Sequence, residues 1–580
     1  MSEVAIDQGT SIPLAESPDI YGAYPRLSDD QIARLEAGGA RRAVDAGEML
    51  VREGERSDYF FAILSGKVAV TTTDDAGNRH VIRVHGPRRF LGELGDLEGQ
   101  AAFYTAEVVE PGEVLVVPTE RVRALVAHDP VLSDLILRAY LWRRSLLIQE
   151  GSGFRIIGSC YSPDTARLRE FAARNRLPHR WLDLERDKQA ERLLQRFGVA
   201  ARDTPVVIWG GEVLRNPTNT ELARRVGLPV PDTVPDESDV LVVGAGPAGL
   251  GAAVYAASDG LTTAAMERIA TGGQAGTSSR IENYLGFPGG ISGADLAERA
   301  VLQAGKFGAR ILVSAEITRL ESGGGQHRVT LADGGSVVAR AVVLATGARY
   351  RRLAVPGIEF FEGNGVYYAA TFQEALMCGT GPVVIVGGGN SAGQAAIFLA
   401  ARVSRVYVVI RGDDLNKTMS RYLVDQINRQ PRVTVRSCTE IREVHGNGAL
   451  SAVVTEDKRT GERHSIQTRA LFVFIGADPN TSWLAGAIEL DDRGFVPTGP
   501  AALYSDADGA RRSTQRQPMM LETSQPGVFA AGDVRSGSVK RVASAVGEGS
   551  MAIRQIHEYF GTQSAARTAP TRHLPGIRQY

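Results

Sequence analysis

Residues 239–257 read DVLVVGAGPAGLGAAVYAA: an apolar run, a glycine-rich turn and an alanine-rich segment. The apolar run predicts a buried strand, and the segment after the turn predicts a helix. Gly244 and Gly246 allow a tight turn and the close approach of a pyrophosphate, and Gly249 lets the helix pack near the strand. Glu267 ends the next predicted strand, where an acid accepts hydrogen bonds from a ribose. The stretch therefore predicts a dinucleotide-binding Rossmann unit.

The same unit recurs at residues 382–400, PVVIVGGGNSAGQAAIFLA. The residues predicted to line this second turn are Gly387, Gly389, Asn390, Ser391 and Ala392. No acid ends the next predicted strand; Arg411 stands there, with Lys417 close by. A cation at this place suits the 2′-phosphate of NADPH better than a free ribose hydroxyl. NADPH is therefore predicted, while NADH binding and a solvated Arg411 stay open as alternatives.

Two nucleotide units in one block predict FAD in the first and a nicotinamide cofactor in the second. The glycine-rich stretch 272–293, called the flavin loop below, is expected to face the flavin. Residues 342–348 predict the turn that leads out of the first domain. Residues 526–553 predict a strand that ends at Gly532-Asp533, followed by a helix that points N–H groups at the flavin ring. The further residues predicted to contact FAD are Gly273, Gln274, Asn283, Asp533, Arg541 and Val542.

Together these motifs resemble the low-molecular-weight thioredoxin reductase family of FAD-dependent pyridine-nucleotide oxidoreductases. The resemblance covers residues 239–560. It implies an FAD domain in two segments, 239–354 and 476–560, with a nicotinamide domain inserted at 355–475. It also implies a homodimer and hydride transfer from NADPH to the flavin.

Residues 366–374, VYYAATFQE, depart from that family. The family carries Cys-Ala-Thr-Cys here, whereas this chain has Ala369 and Phe372 at the two cysteine positions. Disulfide exchange needs a thiolate, which neither side chain offers. We therefore predict no internal dithiol, and we expect Phe372 to cover the flavin. The three cysteines of the chain, Cys160, Cys378 and Cys438, are too far apart for any C-x-x-C motif.

Residues 151–228 resemble a thioredoxin or glutaredoxin fold, with Thr204-Pro205 at the place of a cis-proline. Ser162-Pro163-Asp164-Thr165 then occupies the C-x-x-C position, so hydroxyls replace both thiols. Cys160 lies two residues upstream, and both a lone reactive thiol and a buried strand-end residue stay open. A proline-rich linker is predicted at 229–238.

Residues 25–150 alternate apolar and polar side chains in short runs, which predicts an antiparallel β-roll. Within it, residues 88–109 resemble the phosphate cassette of cyclic-nucleotide-binding domains, with Gly92 and Glu93 at the ribose. The family's phosphate-binding arginine is expected at the position of Ala102. We therefore doubt that the roll binds a cyclic nucleotide, unless Arg88 or Arg89 compensates. Dimer packing and sensing of another ligand are the alternatives.

The 580 residues carry a formal net charge of −1, and this balance argues against a nucleic-acid partner. The sequence predicts no membrane span, no signal peptide and no metal site, and hence a cytoplasmic protein. A flexible arm is expected at residues 1–24 and a polar tail at residues 561–580. The predicted fold is α/β and multidomain: an N-terminal antiparallel β-roll, a thioredoxin-like domain, then two Rossmann-like dinucleotide-binding domains.

These predictions describe an FAD-dependent NAD(P)H oxidoreductase that passes electrons directly to an external acceptor. The acceptor stays open between a quinone, a carrier protein, oxygen and a disulfide on a partner. One alternative is a thioredoxin-disulfide reductase that uses partner thiols. Another is a non-enzymatic sensor of NAD(P)H or of redox state.

Overall fold

The computed structural model describes residues 15–73, 79–231, 237–363, 365–370, 374–375, 378–447, 449–502 and 516–568. The chain divides into two compact units. Residues 1–233 and 312–314 form the first unit, and residues 234–311 and 315–580 form the second.

The first unit begins with an antiparallel β-roll. Its elements are α1 (Asp29–Glu36), β1 (Ala40–Val44), β2 (Met49–Val51), β3 (Tyr59–Thr73), β4 (Arg79–His85), α2 (Leu94–Glu98), β5 (Thr105–Pro118), α3 (Thr119–His128) and α4 (Pro130–Glu150). The strands lie in the order β1-β5-β3-β4, and β2 pairs with β5. Phe61 and Ile63, two residues apart on β3, are both in the buried core of the roll, as the alternation predicts.

Residues 15–24 pack against the roll and are bonded to it. The prediction of a flexible arm is therefore wrong for this part of residues 1–24. The buried side chain of Arg89 reaches the carboxylate of Glu16 at 2.8 Å and donates to the carbonyl oxygen of Ser17 at 2.6 Å. The N–H of Ser17 donates to Val84 on β4 at 3.0 Å. These long-range bonds, which local composition does not reveal, hold the segment; residues 1–14 lie outside the described residues.

A small mixed sheet completes the first unit. Its elements are β6 (Phe154–Gly158), α5 (Pro163–Arg174), β7 (His179–Asp183), α6 (Lys188–Arg196), β8 (Val206–Trp209), β9 (Glu212–Arg215) and α7 (Asn219–Val226). The strands lie in the order β7-β6-β8-β9, with β6 parallel to β7 and antiparallel to β8. The Thr204–Pro205 peptide bond directly before β8 is cis. We call residues 154–227 the thioredoxin-like module.

The second unit opens with a seven-stranded sheet. Its elements are β10 (Glu237–Val243), α8 (Pro247–Ser258), β11 (Thr263–Met266), α9 (Gly293–Lys306), β12 (Arg310–Leu312), β13 (Ile317–Gly323), β14 (Gln326–Leu331), β15 (Ser336–Leu344), β26 (Val528–Ala530) and the closing helix α12 (Val542–Thr568). Strand β10 lies parallel to β11 and β15, and β26 lies parallel to β15. The first dinucleotide-binding domain is thus built from two separated stretches of chain.

A second parallel sheet lies between those stretches. Its domain contains β17 (Val366–Tyr367), β18 (Val383–Val386), α10 (Asn390–Ala400), β19 (Val406–Val409), α11 (Arg421–Arg429), β20 (Val433–Arg436), β21 (Thr439–Asn447), β22 (Ala449–Asp457), β23 (Arg463–Gln467) and β24 (Leu471–Val473). The parallel strands lie in the order β17-β24-β18-β19-β20, and β21-β22-β23 form a separate antiparallel sheet. Strands β16 (Ala348–Tyr350) and β25 (Ala477–Pro479) pair where the chain enters and leaves this domain.

Helix α12 differs from the prediction at its carboxyl end. It continues past Phe560 to Thr568, where a polar tail is predicted from residue 561. The added stretch GTQSAART contains no proline, and Ala, Gln and Arg are good helix formers, so the helix has no local reason to stop. Among the described residues, no helix combines the length and the apolar character that a membrane crossing requires.

Candidate functional site

The first glycine turn has the geometry that its spacing predicts. Gly244 has a φ of +100°, and a Cβ there would lie 2.4 Å from the carbonyl oxygen of Ala345. A Cβ on Gly249 would lie 1.9 Å from the carbonyl oxygen of Gly244, so only glycine lets α8 start so close to β10. Gly246 instead borders space, since the nearest described atom to an added Cβ is the Cα of Gly273 at 3.8 Å. The turn leaves room for a phosphate beside the first turn of α8.

Two helices, α8 and α12, meet beside this turn, a contact that sequence reasoning missed. A Cβ on Gly549 of α12 would lie 2.1 Å from the carbonyl oxygen of Ala248, and one on Gly251 of α8 would lie 3.0 Å from that of Val546. The first two turns of α8 are therefore in backbone contact with α12 at Val546 and Gly549. Glycines inside a helix are the sequence signal for such contact. The contact fixes α12 against the start of α8.

Asp533 lies at the turn between β26 and α12. Burial raises the pKa of its carboxyl group, while the ammonium group of Lys540 opposes that shift. Glu548, which was not predicted, holds the turn: its carboxylate accepts the N–H of Gly532 at 2.7 Å and pairs with Arg535 at 2.5 Å. A half-buried acid at this place can accept a ligand hydroxyl, as predicted for the ribitol chain of FAD.

Two other predicted FAD residues are held by hydrogen bonds to neighbouring backbone groups. Glu267 accepts the N–H of Ala245 at 2.9 Å, so its carboxylate lies against the first glycine turn. Gln274 donates to the carbonyl oxygen of Ala348 and ties the flavin loop to β16. Of three further predicted residues, Asn283 and Arg541 are exposed, and Val542, the first residue of α12, is half-buried.

The second glycine turn repeats the geometry of the first. Gly387 has a φ of +133°, and a Cβ there would lie 2.1 Å from the carbonyl oxygen of Phe474. No atom of the described residues lies within 4 Å of a Cβ added to Gly389. Asn390 donates to Ser420 at 2.9 Å and accepts its N–H at 2.7 Å, which links the starts of α10 and α11. Of the two other predicted residues, Ser391 is exposed and Ala392 is buried.

Charged side chains surround the carboxyl end of β19. Arg411 is exposed. Lys417 pairs with Asp413 at 2.6 Å, so its charge is already matched inside the loop. Asp414 follows and caps a short helical turn through the N–H of Asn416. A phosphate near this loop would pair with Arg411. The carboxylates of Asp413 and Asp414, which repel a phosphate, are close to Arg411 in sequence.

One hydrogen bond joins the two dinucleotide-binding domains close to the flavin loop. Gln426 on α11 donates to the carboxylate of Glu282 at 3.3 Å. The guanidinium of Arg280 lies 3.3 Å from the same carboxylate. Because α11 is tied to α10 through Asn390, this bond connects the second glycine turn to the flavin loop.

The stretch at which the resemblance places two cysteines, residues 369–372, is partly described. Ala369 is half-buried and Ala370 is buried, while Phe372 lies outside the described residues. Cys378, the next cysteine along the chain, is 3% exposed and donates its S–H to the carbonyl oxygen of Glu374 at 2.9 Å. Burial raises the pKa of the Cys378 thiol to about 12. All three cysteines of the chain are free.

Ser162 and Thr165, predicted to stand at a dithiol position, lie at the start of α5. The Oγ of Ser162 caps α5 by accepting the N–H of Thr165 at 3.3 Å, and the Thr165 side chain is buried. The N–H of Cys160 donates to Asp183 at 3.0 Å. Burial, aided by the adjacent Asp183 carboxylate, raises the pKa of the Cys160 thiol, which favours the unreactive protonated form.

The residues predicted for a cyclic nucleotide are engaged elsewhere. Glu93 forms a buried ion pair with Arg144 of α4 at 2.6 Å. Ala102 is fully buried. The suggestion that Arg88 or Arg89 compensates for it stays a prediction; Arg88 pairs with Asp29, and Arg89 pairs with Glu16.

Two family descriptions match the chain. Residues 238–549 match the family described as pyridine nucleotide-disulphide oxidoreductase, and residues 41–129 match the cyclic nucleotide-binding domain. The first match covers more than half of the chain, including both glycine turns.

Individual relatives agree with that match. Thioredoxin reductase of Treponema pallidum is 34% identical over 324 residues, covering 56% of this chain and 97% of that protein. An alkyl hydroperoxide reductase component of Pseudomonas putida is 38% identical over 331 residues, 56% of this chain and 59% of that protein. The crystal structure of T. acidophilum thioredoxin reductase has a TM-score of 0.50 at 30% identity, covering 57% of this chain and all of that one.

Proposed function

The chain belongs to the pyridine nucleotide-disulphide oxidoreductase family and is an FAD-dependent oxidoreductase of the thioredoxin reductase type, and from this premise we propose that it carries electrons from NADPH to an external acceptor without a dithiol of its own. Bound FAD would accept a hydride from the reduced nicotinamide and release the electrons to the acceptor. Family membership favours this enzyme over a non-enzymatic sensor.

The environment of Cys378 carries the proposal. A relay at the usual place needs two thiols, and the first cysteine position holds Ala369. Cys378 is the nearest thiol in sequence; it is buried, its S–H donates to the carbonyl oxygen of Glu374, and its raised pKa favours the protonated thiol. Because disulfide exchange proceeds through the thiolate, Cys378 is too inert to replace the missing pair.

The residues at the first turn fit FAD. The space beside Gly246 and the start of α8 suit a pyrophosphate, which is an anion. The Glu267 carboxylate, which already accepts the N–H of Ala245, would accept hydrogen bonds from ribose hydroxyls through its remaining lone pairs. Asp533 would accept a hydrogen bond from a ribitol hydroxyl. Glu548 would keep the Asp533 turn in place through Gly532. The space beside Gly389 would take the pyrophosphate of the nicotinamide cofactor in the same way.

NADPH rather than NADH is the proposed donor, and Arg411 supports it. An exposed guanidinium at the end of β19 can form two parallel hydrogen bonds with a 2′-phosphate. Lys417 adds little, because Asp413 already neutralises it. A single arginine beside acids gives a preference for NADPH that is smaller than a cluster of cations would give.

Anaerobic mixing of the holoenzyme with NADPH tests the proposal, followed by a panel of acceptors. Bleaching of the flavin spectrum and steady turnover of ferricyanide or a quinone, unchanged after alkylation of the thiols, are expected. A flavin that stays oxidised under NADPH and NADH refutes it. Reduction of a disulfide protein by the Cys160→Ser variant would instead favour the reductase that uses partner thiols. A peroxidase belongs in the panel because one relative is named as part of an alkyl hydroperoxide reductase.

A further inference from the structure

The side chains of the roll that are expected to bind a cyclic nucleotide form hydrogen bonds within the protein instead. We call residues 91–104 the cassette. Both oxygens of Glu93 accept hydrogen bonds from Arg144 of α4, at 2.6 and 2.9 Å, and neither side chain is more than 2% exposed. Gln100 accepts a further bond from the same guanidinium at 3.0 Å. A ribose hydroxyl would have to displace a charged partner from a buried pair, which leaves a buried charge unmatched.

A cyclic phosphate has no partner at the cassette either. Ala102 stands where an arginine is expected, and it is fully buried. The N–H of Glu93, at the start of α2, already donates to the Asp96 carboxylate at 2.9 Å. Tyr140 of α4 closes the same end, because a Cβ on Gly92 would lie 2.0 Å from its hydroxyl oxygen. These residues do not fit a cyclic nucleotide, although residues 41–129 match that domain family.

The thioredoxin-like module covers the other end of the cassette. The N–H of Ala101 donates to the carbonyl oxygen of Val226 at 2.9 Å. The ring of Phe103 stacks on Trp209, with centroids 4.9 Å apart. A Cβ on Gly227 would lie 2.8 Å from the carbonyl oxygen of Gly99, so the two backbones touch.

Charged side chains extend this contact on both sides. Arg225 of the module donates to the carbonyl oxygen of Gly54 in the roll at 3.0 Å and lies over the Trp209 ring. Arg144 reaches from the Glu93 pair to the carbonyl oxygen of Arg176 at 3.3 Å. Arg176 in turn donates to Ser145 of α4 at 2.8 Å. Helix α4 is thus bonded to the cassette and to the module at once.

We propose that the cassette is a docking site for its own chain, in which Arg144 of α4 and the thioredoxin-like module replace the cyclic nucleotide. Arg144 supplies to Glu93 the partner that a ribose would supply. The module supplies a hydrogen bond to Ala101 and an aromatic cover for Phe103. The roll and the module then act as one rigid body that cyclic nucleotides do not switch. The proposal concerns the first unit alone and does not depend on the redox reaction.

Hydrogen exchange of the full chain, read by mass spectrometry at the peptide that contains Ala101, tests the docking. Arg225→Ala removes the bond to Gly54 and the cover of Trp209, and we expect exchange at that peptide to rise about tenfold. Arg202→Ala is the matched control, because Arg202 is on the same module but 88% exposed. Equal protection in the two variants would overturn the proposal.

Nucleotide titration of the same protein tests the replacement. With about 1 mM cAMP or cGMP we expect no saturable heat, no shift of Tm and no added protection of the cassette. Saturable binding of either nucleotide with protection of the cassette would overturn the proposal. Glu93→Gln, which keeps the shape but removes the charge, is expected to lower the Tm of the first unit. An unchanged Tm in that variant would count against the Arg144 pair as the replacement.

Discussion

Replacing Gln426 by alanine removes the hydrogen bond between the nicotinamide domain and the flavin loop. Its amide donates to Glu282 at 3.3 Å, and α11, which carries it, is tied to the second glycine turn through Ser420 and Asn390. Hydride transfer needs the nicotinamide held at a fixed place against the flavin. We therefore expect Gln426 to be a positioning residue, and its loss to slow flavin reduction without weakening NADPH binding.

The geometry sets the size of the effect. A hydrogen bond to a charged group contributes about 1.5–3 kcal/mol, but this one is long and Glu282 is 29% exposed to water. A loss of about 1 kcal/mol is therefore reasonable, and it corresponds to a roughly fivefold lower rate constant. Arg280 keeps Glu282 oriented, so the flavin loop should not collapse in the variant.

Anaerobic stopped-flow mixing with increasing NADPH measures the rate constant and the apparent Kd separately. Arg421→Ala is the control, because Arg421 also lies on α11 but pairs with Asp425 of the same helix and is 80% exposed. Equal rate constants for the two variants, or a change of Kd alone in Gln426→Ala, would refute the positioning role. A wild-type flavin that NADPH does not reduce would refute the proposed function instead.

Three further changes have defined outcomes. Gly249→Ala would place a methyl group 1.9 Å from a carbonyl oxygen, so the purified protein should lose FAD and melt at a lower temperature. Arg411→Ala should raise the KM for NADPH about tenfold in steady-state assays and leave that for NADH unchanged. Burial raises the pKa of the Glu53 carboxyl group from 4.5 to about 7. Between these pH values the folded state keeps a proton that the unfolded state has lost. Stability should then fall by about 3 kcal/mol as pH rises from about 4.5 to 7, and thermal unfolding of Glu53→Gln should lack that loss.

The dinucleotide units followed from the sequence because local rules determine them. A strand that is buried on both sides, a turn with positive φ and a helix that starts close to the strand each restrict residue type. Gly244 and Gly387 meet those restrictions in the structure, with φ of +100° and +133°. The alternation along β3 likewise placed Phe61 and Ile63 in one core.

The partners of charged side chains did not follow from the sequence. Arg144 and Glu93 are 51 residues apart, and Gln426 and Glu282 are 144 apart. No periodicity relates such pairs, since their distance depends on how whole elements pack. The same reason explains the ordered segment at residues 15–24, which Arg89 holds from across the roll. Polar composition alone made that segment resemble a mobile arm.

The two glycines of the second turn, Gly387 and Gly389, allow a requirement of the fold to be distinguished from a requirement of ligand binding. Gly387 is explained by the fold, since a side chain there would strike the carbonyl oxygen of Phe474 at 2.1 Å. Gly389 is not: its φ is −92°, and no atom in the described part of the chain lies within 4 Å of an added Cβ. Two physical reasons for glycine remain at that position: Gly389 is the N-cap residue of α10, and a ligand can approach a backbone that carries no side chain.

Gly389→Ala therefore discriminates between the two roles. We expect a nearly unchanged Tm, because the smaller freedom of the unfolded alanine chain, about 0.4–1 kcal/mol, offsets the loss of a favoured N-cap residue of α10. The KM for NADPH should rise about tenfold, as the methyl group occupies space meant for the pyrophosphate. Gly381→Ala is the matched control, since Gly381 also faces open space. Normal NADPH kinetics in Gly389→Ala would mean that the cofactor does not lie against this turn, and that its glycine spacing serves the fold alone.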